Sequence, residues 1–171
     1  EKGGEIIPKI VGKDTGYYDN NMGAKIDFIN RCPVCGTPLV RAQEEASHYC
    51  PNDLHCAPQI IGRLEHFVSR KAMNISLVGP ELIQQYYRNG FLHDVSDFYH
   101  ITHDKKVAES VARSVEVPFE RVLFALGIRF VGEIAAKTLA RKFKNIDSLM
   151  SATAEQLLET DGIGNVIAES L

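Results

Sequence analysis

Cys32-Pro33-Val34-Cys35-Gly36 and Cys50-Pro51-Asn52-Asp53-Leu54-His55-Cys56 carry all four cysteines of this 171-residue chain. They fall as Cys-x2-Cys, a gap of fourteen residues, then Cys-x5-Cys. Two thiolates two residues apart can grip one ion from a tight turn, and a second pair one short loop away completes a tetrahedron of sulfurs, the closed geometry of structural zinc. Pro33 stiffens the knuckle, while Gly36 lets backbone amides fold back toward the sulfurs. With all four positions filled, the metal is expected to hold the fold and to do no catalysis. Three other readings stand beside this one. Two disulfides would need an oxidising compartment, and nothing in the chain reads as secreted. A redox Cys-x2-Cys would sit at a strand-to-helix junction, whereas Pro-Val followed by Gly reads as a metal knuckle. His55 could replace a thiolate, but beside four cysteines it reads as a loop residue, and the other five histidines read as surface or core residues.

Outward from the cysteines, 44% apolar content suits a soluble globular chain of one domain or two small ones, with no run long enough to cross a bilayer. The net charge of -3 predicts neither general nucleic-acid affinity nor membrane binding. Its distribution is uneven. Residues 57–74 set Arg63, Arg70 and Lys71 against Glu65; residues 117–150 carry six bases against three acids; residues 151–171 carry four acids and no base. Such runs are usually solvated faces.

Before the cysteines, Gly4 to Gly12 reads as a strand with Pro8 inside it, hence an edge or a bulge. It has no partner strand in sight, and Asp14 to Asn30 is polar and unpatterned, so the chain reads as cut from something larger. After the cysteines the pattern is helical. Ala57-Pro58 opens a helix striped by Ile60, Ile61, Leu64, Phe67 and Val68. Pro80 to Asn89 follows, stopped by Gly90, then a short turn from Asp94 to Tyr99 and a helix from Lys105 to Glu116. Pro118 to Leu126 leads to a long helix, Glu133 to Phe143, striped by Ile134, Ala135, Thr138, Leu139 and Phe143. Thr153 and Gln156 form a capping box, and Asn165 begins a last helix that runs to the end of the chain.

Two of the turns share a design: an apolar helix end, glycine, a central apolar anchor, glycine, then a new amphipathic helix. Asp161-Gly162-Ile163-Gly164 shows it compactly, Gly127 to Gly132 in a longer form, and Leu77-Val78-Gly79-Pro80 more weakly. This is the helix-hairpin-helix signature. Glycine allows close approach of a phosphate, and the amides of the second helix point at the anion. Such a site grips duplex DNA by its backbone without reading bases. A Gly-x-Gly turn also simply joins antiparallel helices.

Together, the Gly4-to-Gly12 strand, the four cysteines, His66-Phe67-Val68-Ser69-Arg70-Lys71-Ala72-Met73 and Ala125-Leu126-Gly127-Ile128-Arg129-Phe130-Val131-Gly132-Glu133 resemble the bacterial NAD-dependent DNA ligase family. The resemblance covers nearly the whole chain. It implies the tail of an oligonucleotide-binding (OB) barrel and a linker at residues 1–30, a four-cysteine zinc finger at 31–57 and a helix-hairpin-helix domain at 58–171. It implies further that the whole enzyme uses NAD and Mg2+ to seal nicks in duplex DNA during replication and repair, as a bacterial cytoplasmic protein. None of that chemistry maps onto this chain. The nearest string to the nucleotidyl-transfer motif Lys-x-Asp-Gly is Lys25-Ile26-Asp27-Phe28, which lacks the glycine, so no catalytic residue is assigned.

The expected fold is mainly α: a small four-cysteine zinc finger, then a helix-hairpin-helix domain, with a remnant barrel strand at the front. Cys32, Cys35, Cys50 and Cys56 are the expected zinc ligands; Gly127, Arg129, Gly132, Lys137, Gly162 and Gly164 are the expected DNA contacts. The partner is duplex DNA with a nick, and the chain is expected to be a monomer away from membranes. Two departures from the family stand out: where a second hairpin is expected between Tyr99 and Glu109, Thr102-His103-Asp104-Lys105-Lys106 runs straight into a helix, and the first hairpin has only one glycine. Competing functions are a stand-alone, non-enzymatic module that binds DNA structures, and a protein-interaction scaffold that never touches DNA.

Overall fold

The structure, a computed structural model, describes residues 27–41 and 47–171. The expected strand at 4–12, and with it the barrel remnant, lies outside the described residues. Arg31–Leu171 form one compact unit. It opens with two isolated antiparallel bridges, Arg31 to Pro38 and Val40 to Tyr49. In the first knuckle the Gly36 amide donates to the Cys32 carbonyl at 2.9 Å and the Cys32 amide to the Thr37 carbonyl at 2.8 Å. Gly36 closes this turn at φ +71°, a conformation glycine adopts without strain.

Eight α-helices and one 3-10 helix follow among the described residues: α1 Ala57–Val68, α2 Pro80–Arg88, the 3-10 helix Val95–His100, α3 Lys105–Ser114, α4 Phe119–Ala125, α5 Glu133–Phe143, α6 Ile146–Met150, α7 Ala154–Leu158 and α8 Asn165–Ala168. The mainly helical fold expected from the pattern is what forms. Asp94 caps the 3-10 helix in a capping box with Asp97, and Thr153 caps α7 in one with Gln156. The helix α6 has no counterpart in the periodicity. Its five residues are too few to show a stripe, and Asn145, whose side chain accepts from the Ser148 amide, is the signal that marks its start.

Two apolar cores lie along the chain. The first gathers Ile60, Leu64 and Phe67 of α1, Ile83 and Tyr86 of α2, Phe98 of the 3-10 helix and Val107 and Val111 of α3. The second gathers Leu123 of α4, Val131, Ala136, Leu139 and Ala140 around α5, Leu149 of α6, Leu157 of α7 and Ile163. The stripe on α5 therefore differs from the expected one: Ala136, Leu139 and Ala140 face inward, while Ile134, in the first turn and beyond the edge of the core, is 83% exposed.

The cores are clamped together by polar contacts. Arg121 donates from Nε to the Ala72 carbonyl at 2.8 Å and from Nη2 to the Arg70 carbonyl, covering the turn after α1. His66 on α1 meets the Phe124 carbonyl on α4 at 2.7 Å. Lys71 and Glu133 form an exposed ion pair at 2.8 Å. No helix among the described residues is long and apolar enough to cross a membrane.

Candidate metal centre and nucleic-acid interface

The four cysteines come from two knuckles, the second of which ends at Cys56, the residue that caps α1. Their sulfurs all lie within 4.8 Å of one another. Cys32 and Cys56 are 3.8 Å apart and Cys35 and Cys50 are 3.4 Å apart. Thiolates about 2.3 Å from a shared zinc ion sit about 3.8 Å from each other, so the donor set and its spacing fit that ion. A disulfide needs about 2.05 Å between sulfurs, and all four cysteines are free. His55 is exposed and outside the cluster.

The sulfurs differ in their surroundings. Hydrogen bonding with the Thr37 side chain and backbone holds the pKa of the Cys35 thiol down to about 6. Burial, reinforced by the neighbouring thiols, pushes Cys56 up to about 12, and burial pushes Cys50 upward as well. The supports beneath them are backbone contacts: Gln59 donates to the Cys50 carbonyl and Arg63 to the Asp53 carbonyl, each at 2.9 Å, tying the second knuckle to α1.

Beyond the metal cluster, three corners share one backbone. In each, a residue with positive φ is followed by a buried apolar anchor and then by the glycine that caps the next helix. The first is Leu77 (φ 69°), Val78 and Gly79; the second Phe130 (φ 65°), Val131 and Gly132; the third Gly162 (φ 75°), Ile163 and Gly164. The capping glycines are nearly superimposable in dihedrals: φ -93° and ψ 172° at Gly79, -80° and 179° at Gly132, and -92° and 176° at Gly164. The corner after α4 is thus the triplet Phe130, Val131 and Gly132, and not one long turn from Gly127. Gly127 instead ends α4 at φ +66°, where a Cβ would meet His66 Cδ2 at 3.5 Å. The first corner is as well formed as the others despite its single glycine, because leucine occupies the left-handed position. For a bulky residue that conformation costs about 1–3 kcal/mol.

Nothing local asks for glycine at Gly79, Gly132 or Gly164. Their extended dihedrals suit any residue, and a Cβ there would meet nothing within 4 Å. Ser, Thr, Asp or Asn would cap the helix better. The chain uses such caps elsewhere: Asp94, Asp104, Asn145 and Thr153 all accept first-turn amides. At the three corners no side chain does so. The first-turn amides of α2 after Pro80, and those of α5 and α8, thus receive no capping side chain.

The other expected contacts are placed as follows. Lys137 is exposed on the second turn of α5, beside a small cleft that Lys71, Arg121 and Glu133 also line. The guanidinium of Arg129 stands over the rings of Tyr49 and Phe130, 4.7 and 4.8 Å from their centroids. Tyr49 adjoins Cys50, so this stack joins the metal cluster to a corner; sequence reasoning gave Tyr49 no part, for only the fold brings it there. A cleft of about 820 Å³ opens alongside, between the second knuckle, α1 and the segment 126–131. His66, read as a residue without a role, is a strut between α1 and α4. Between the 3-10 helix and α3 there is no glycine-capped corner: Ile101 is buried and Asp104 caps α3 directly, accepting from the Lys106 and Val107 amides.

Comparison with known proteins agrees with this architecture. Residues 31–57 match the NAD-dependent DNA ligase C4 zinc finger domain, and residues 121–171 match the helix-hairpin-helix motif. DNA ligases of Bacteroides fragilis and Phocaeicola vulgatus are each 50% identical to the chain over its whole length. The whole chain is thus similar to a segment of DNA ligases, and its residues 31–57 to the zinc finger of the NAD-dependent ones. It spans 28% of the length of those two ligases, and 27% of the Flavobacterium johnsoniae DNA ligase, to which it is 47% identical. The matches run over 184 aligned positions against 171 residues, so at least 13 positions of these ligases have no counterpart here.

Proposed function

We propose that this segment grips nicked duplex DNA for a ligase whose nucleotidyl-transfer chemistry lies in other parts of the protein. The observation that carries the reading is the set of glycine-capped corners: three helix starts whose amides have no side-chain acceptor and whose caps leave room for a close approach. A phosphate oxygen fits that description, and it needs no base-specific side chain. Gly132, Gly162 and Gly164 form the corners, with Gly79 as a third cap. Lys137 adds charge beside α5, and the exposed Arg129 adds more from a guanidinium whose face rests on two rings. Gly127 sets the direction in which the chain enters the second corner.

In the same reading Cys32, Cys35, Cys50 and Cys56 hold one zinc ion. Bound there, the ion supplies charge that keeps four thiolates together and so fixes the knuckles against α1. The finger comprises 31–57 and the DNA-gripping domain 58–171; 1–30 belongs to a barrel domain and linker. The whole protein draws on NAD and Mg2+, acts in replication and repair in the bacterial cytoplasm, and the segment works as a monomer.

The test is binding of a fluorescent nicked duplex by the zinc-loaded chain, titrated with salt. A steep fall of log affinity with log salt concentration, similar for unrelated base sequences, supports phosphate gripping. Affinity that is absent at low salt would sink it.

A further inference from the structure

The cleft of about 820 Å³ between the second knuckle, α1 and the segment 126–131 has the size of a small-molecule site, and its lining is of three kinds. The first is a polar face of α1. Gln59, Arg63 and His66 are spaced by four and then three residues, so one side of the helix supplies all three. Arg63 commits Nη2 to the Asp53 carbonyl yet forms no ion pair with the Asp53 carboxylate, and no other carboxylate among the described residues pairs with it. The Phe124 carbonyl can only accept, so Nε2 of His66 donates to it; in the neutral ring Nδ1 then keeps a lone pair that no described residue meets. The second kind is Asp53 itself, an exposed carboxylate, and the third is the apolar pair Leu126 and Ile128. A cation, an anion and apolar surface thus border one cavity without cancelling one another.

We propose that this cleft binds a ribonucleoside 5′-monophosphate, with the phosphate at Arg63, the ribose hydroxyls at Asp53 and the base against Leu126 and Ile128, where His66 Nδ1 offers it an acceptor. Other ligands use less of the lining. Inorganic phosphate meets Arg63 and leaves the apolar side wet. An acidic peptide meets Asp53 as a like charge, whereas a ribose diol donates to a carboxylate, as it does in dinucleotide sites. A DNA strand lacks the 2′-hydroxyl that such a carboxylate reads. The inference rests on the function proposed above only for the supply of ligand, since ligation driven by a dinucleotide leaves mononucleotides as products.

The experiment titrates the zinc-loaded chain with AMP in the absence of DNA and follows amide NMR shifts. Saturable, sub-millimolar binding is expected, with shifts centred on Asp53, Arg63 and residues 126–128. AMP should bind about tenfold more tightly than dAMP, the scale of one hydrogen bond to a charged group, and more tightly still than inorganic phosphate. Asp53→Ala should erase the preference for AMP over dAMP, because the backbone carbonyl that holds Arg63 stays in place. Arg63→Gln should weaken AMP at least about tenfold. Arg63 also ties the knuckle to α1, so Leu126→Glu is the companion variant: it adds a repelling carboxylate to the cleft without removing that tie, and should weaken AMP as much at unchanged melting temperature. Equal affinities for AMP, dAMP and inorganic phosphate reduce the cleft to a general anion site and overturn the proposal. So do shifts centred on the glycine caps, undiminished binding by Leu126→Glu, or no saturation at millimolar AMP. Duplex binding is decided separately by the salt titration, so either reading can fail alone.

Discussion

At the scale of single residues, the glycine caps make the sharpest distinction between holding the fold and meeting a partner. Gly132→Asp and Gly164→Asp add a capping carboxylate where the dihedrals already suit one, so melting temperature should hold or rise slightly. The same carboxylate occupies the space before the bare amides and repels phosphate; duplex affinity measured by anisotropy should drop at least tenfold. Unchanged affinity would mean the open space is not used. The sulfurs give a second expectation. Cys35 is depressed from 9.0 to about 6, so its thiolate stabilises the metal-free finger fully above pH 9 and progressively less as pH falls toward 6. Cys50 and Cys56, both raised, still hold protons at neutral pH. Zinc uptake at pH 7 should therefore expel at least two protons, and apparent affinity should climb as pH rises from about 6 to about 8. Calorimetry in buffers of different ionisation enthalpy reads the proton count directly; a count of zero would contradict it. The clustering of the four cysteines was legible from spacing alone, because a turn that brings two cysteines together is local. Arg129 beside Tyr49 was not legible, since those residues meet only after the helices between them have packed.

Among the elements, the clamp between the two cores separates strong contacts from weak ones. Arg121 spans to backbone carbonyls at the turn after α1, and charged hydrogen bonds of this kind contribute about 1.5–3 kcal/mol. Arg121→Ala should destabilise the chain by about that much in urea titration. Lys71→Ala breaks an ion pair whose side chains are 70% and 56% exposed, and should change stability by under about 1 kcal/mol. Equal effects from the two substitutions would undo this ranking. The helices themselves were readable where stripe and cap agreed, as in α1 and in α7 with its Thr153 and Gln156 box. Ile134 misled the reading of α5 because periodicity records which residues share a face but not where the core ends. The corners were misread in part for a related reason. A glycine at positive φ is recognisable in sequence, whereas Leu77 and Phe130 in the same conformation carry no such mark.

For the whole molecule, metal and helices should part company on chelation. Both apolar cores lie within residues 60–163, past the last cysteine, so most of the far-UV helical signal should survive zinc removal. The knuckles, held by two isolated bridges and a shared ion, should not; structural zinc contributes about 10 kcal/mol or more in small fingers. Complete loss of helix with the metal would show that the cores depend on the finger. Incubated with NAD and Mg2+, the segment should form no AMP adduct, since no described residue pairs a nucleophilic lysine with the required motif; an adduct seen by mass spectrometry would refute that. One stack of side chains links the finger to the helices. Tyr49 leaves the chain one residue before a cluster sulfur and ends under the guanidinium that braces Phe130. Peroxide that dislodged Cys50 would draw that ring away and let the bracing slip, so that injury at the sulfurs and slackness at a corner far along the chain would be a single event.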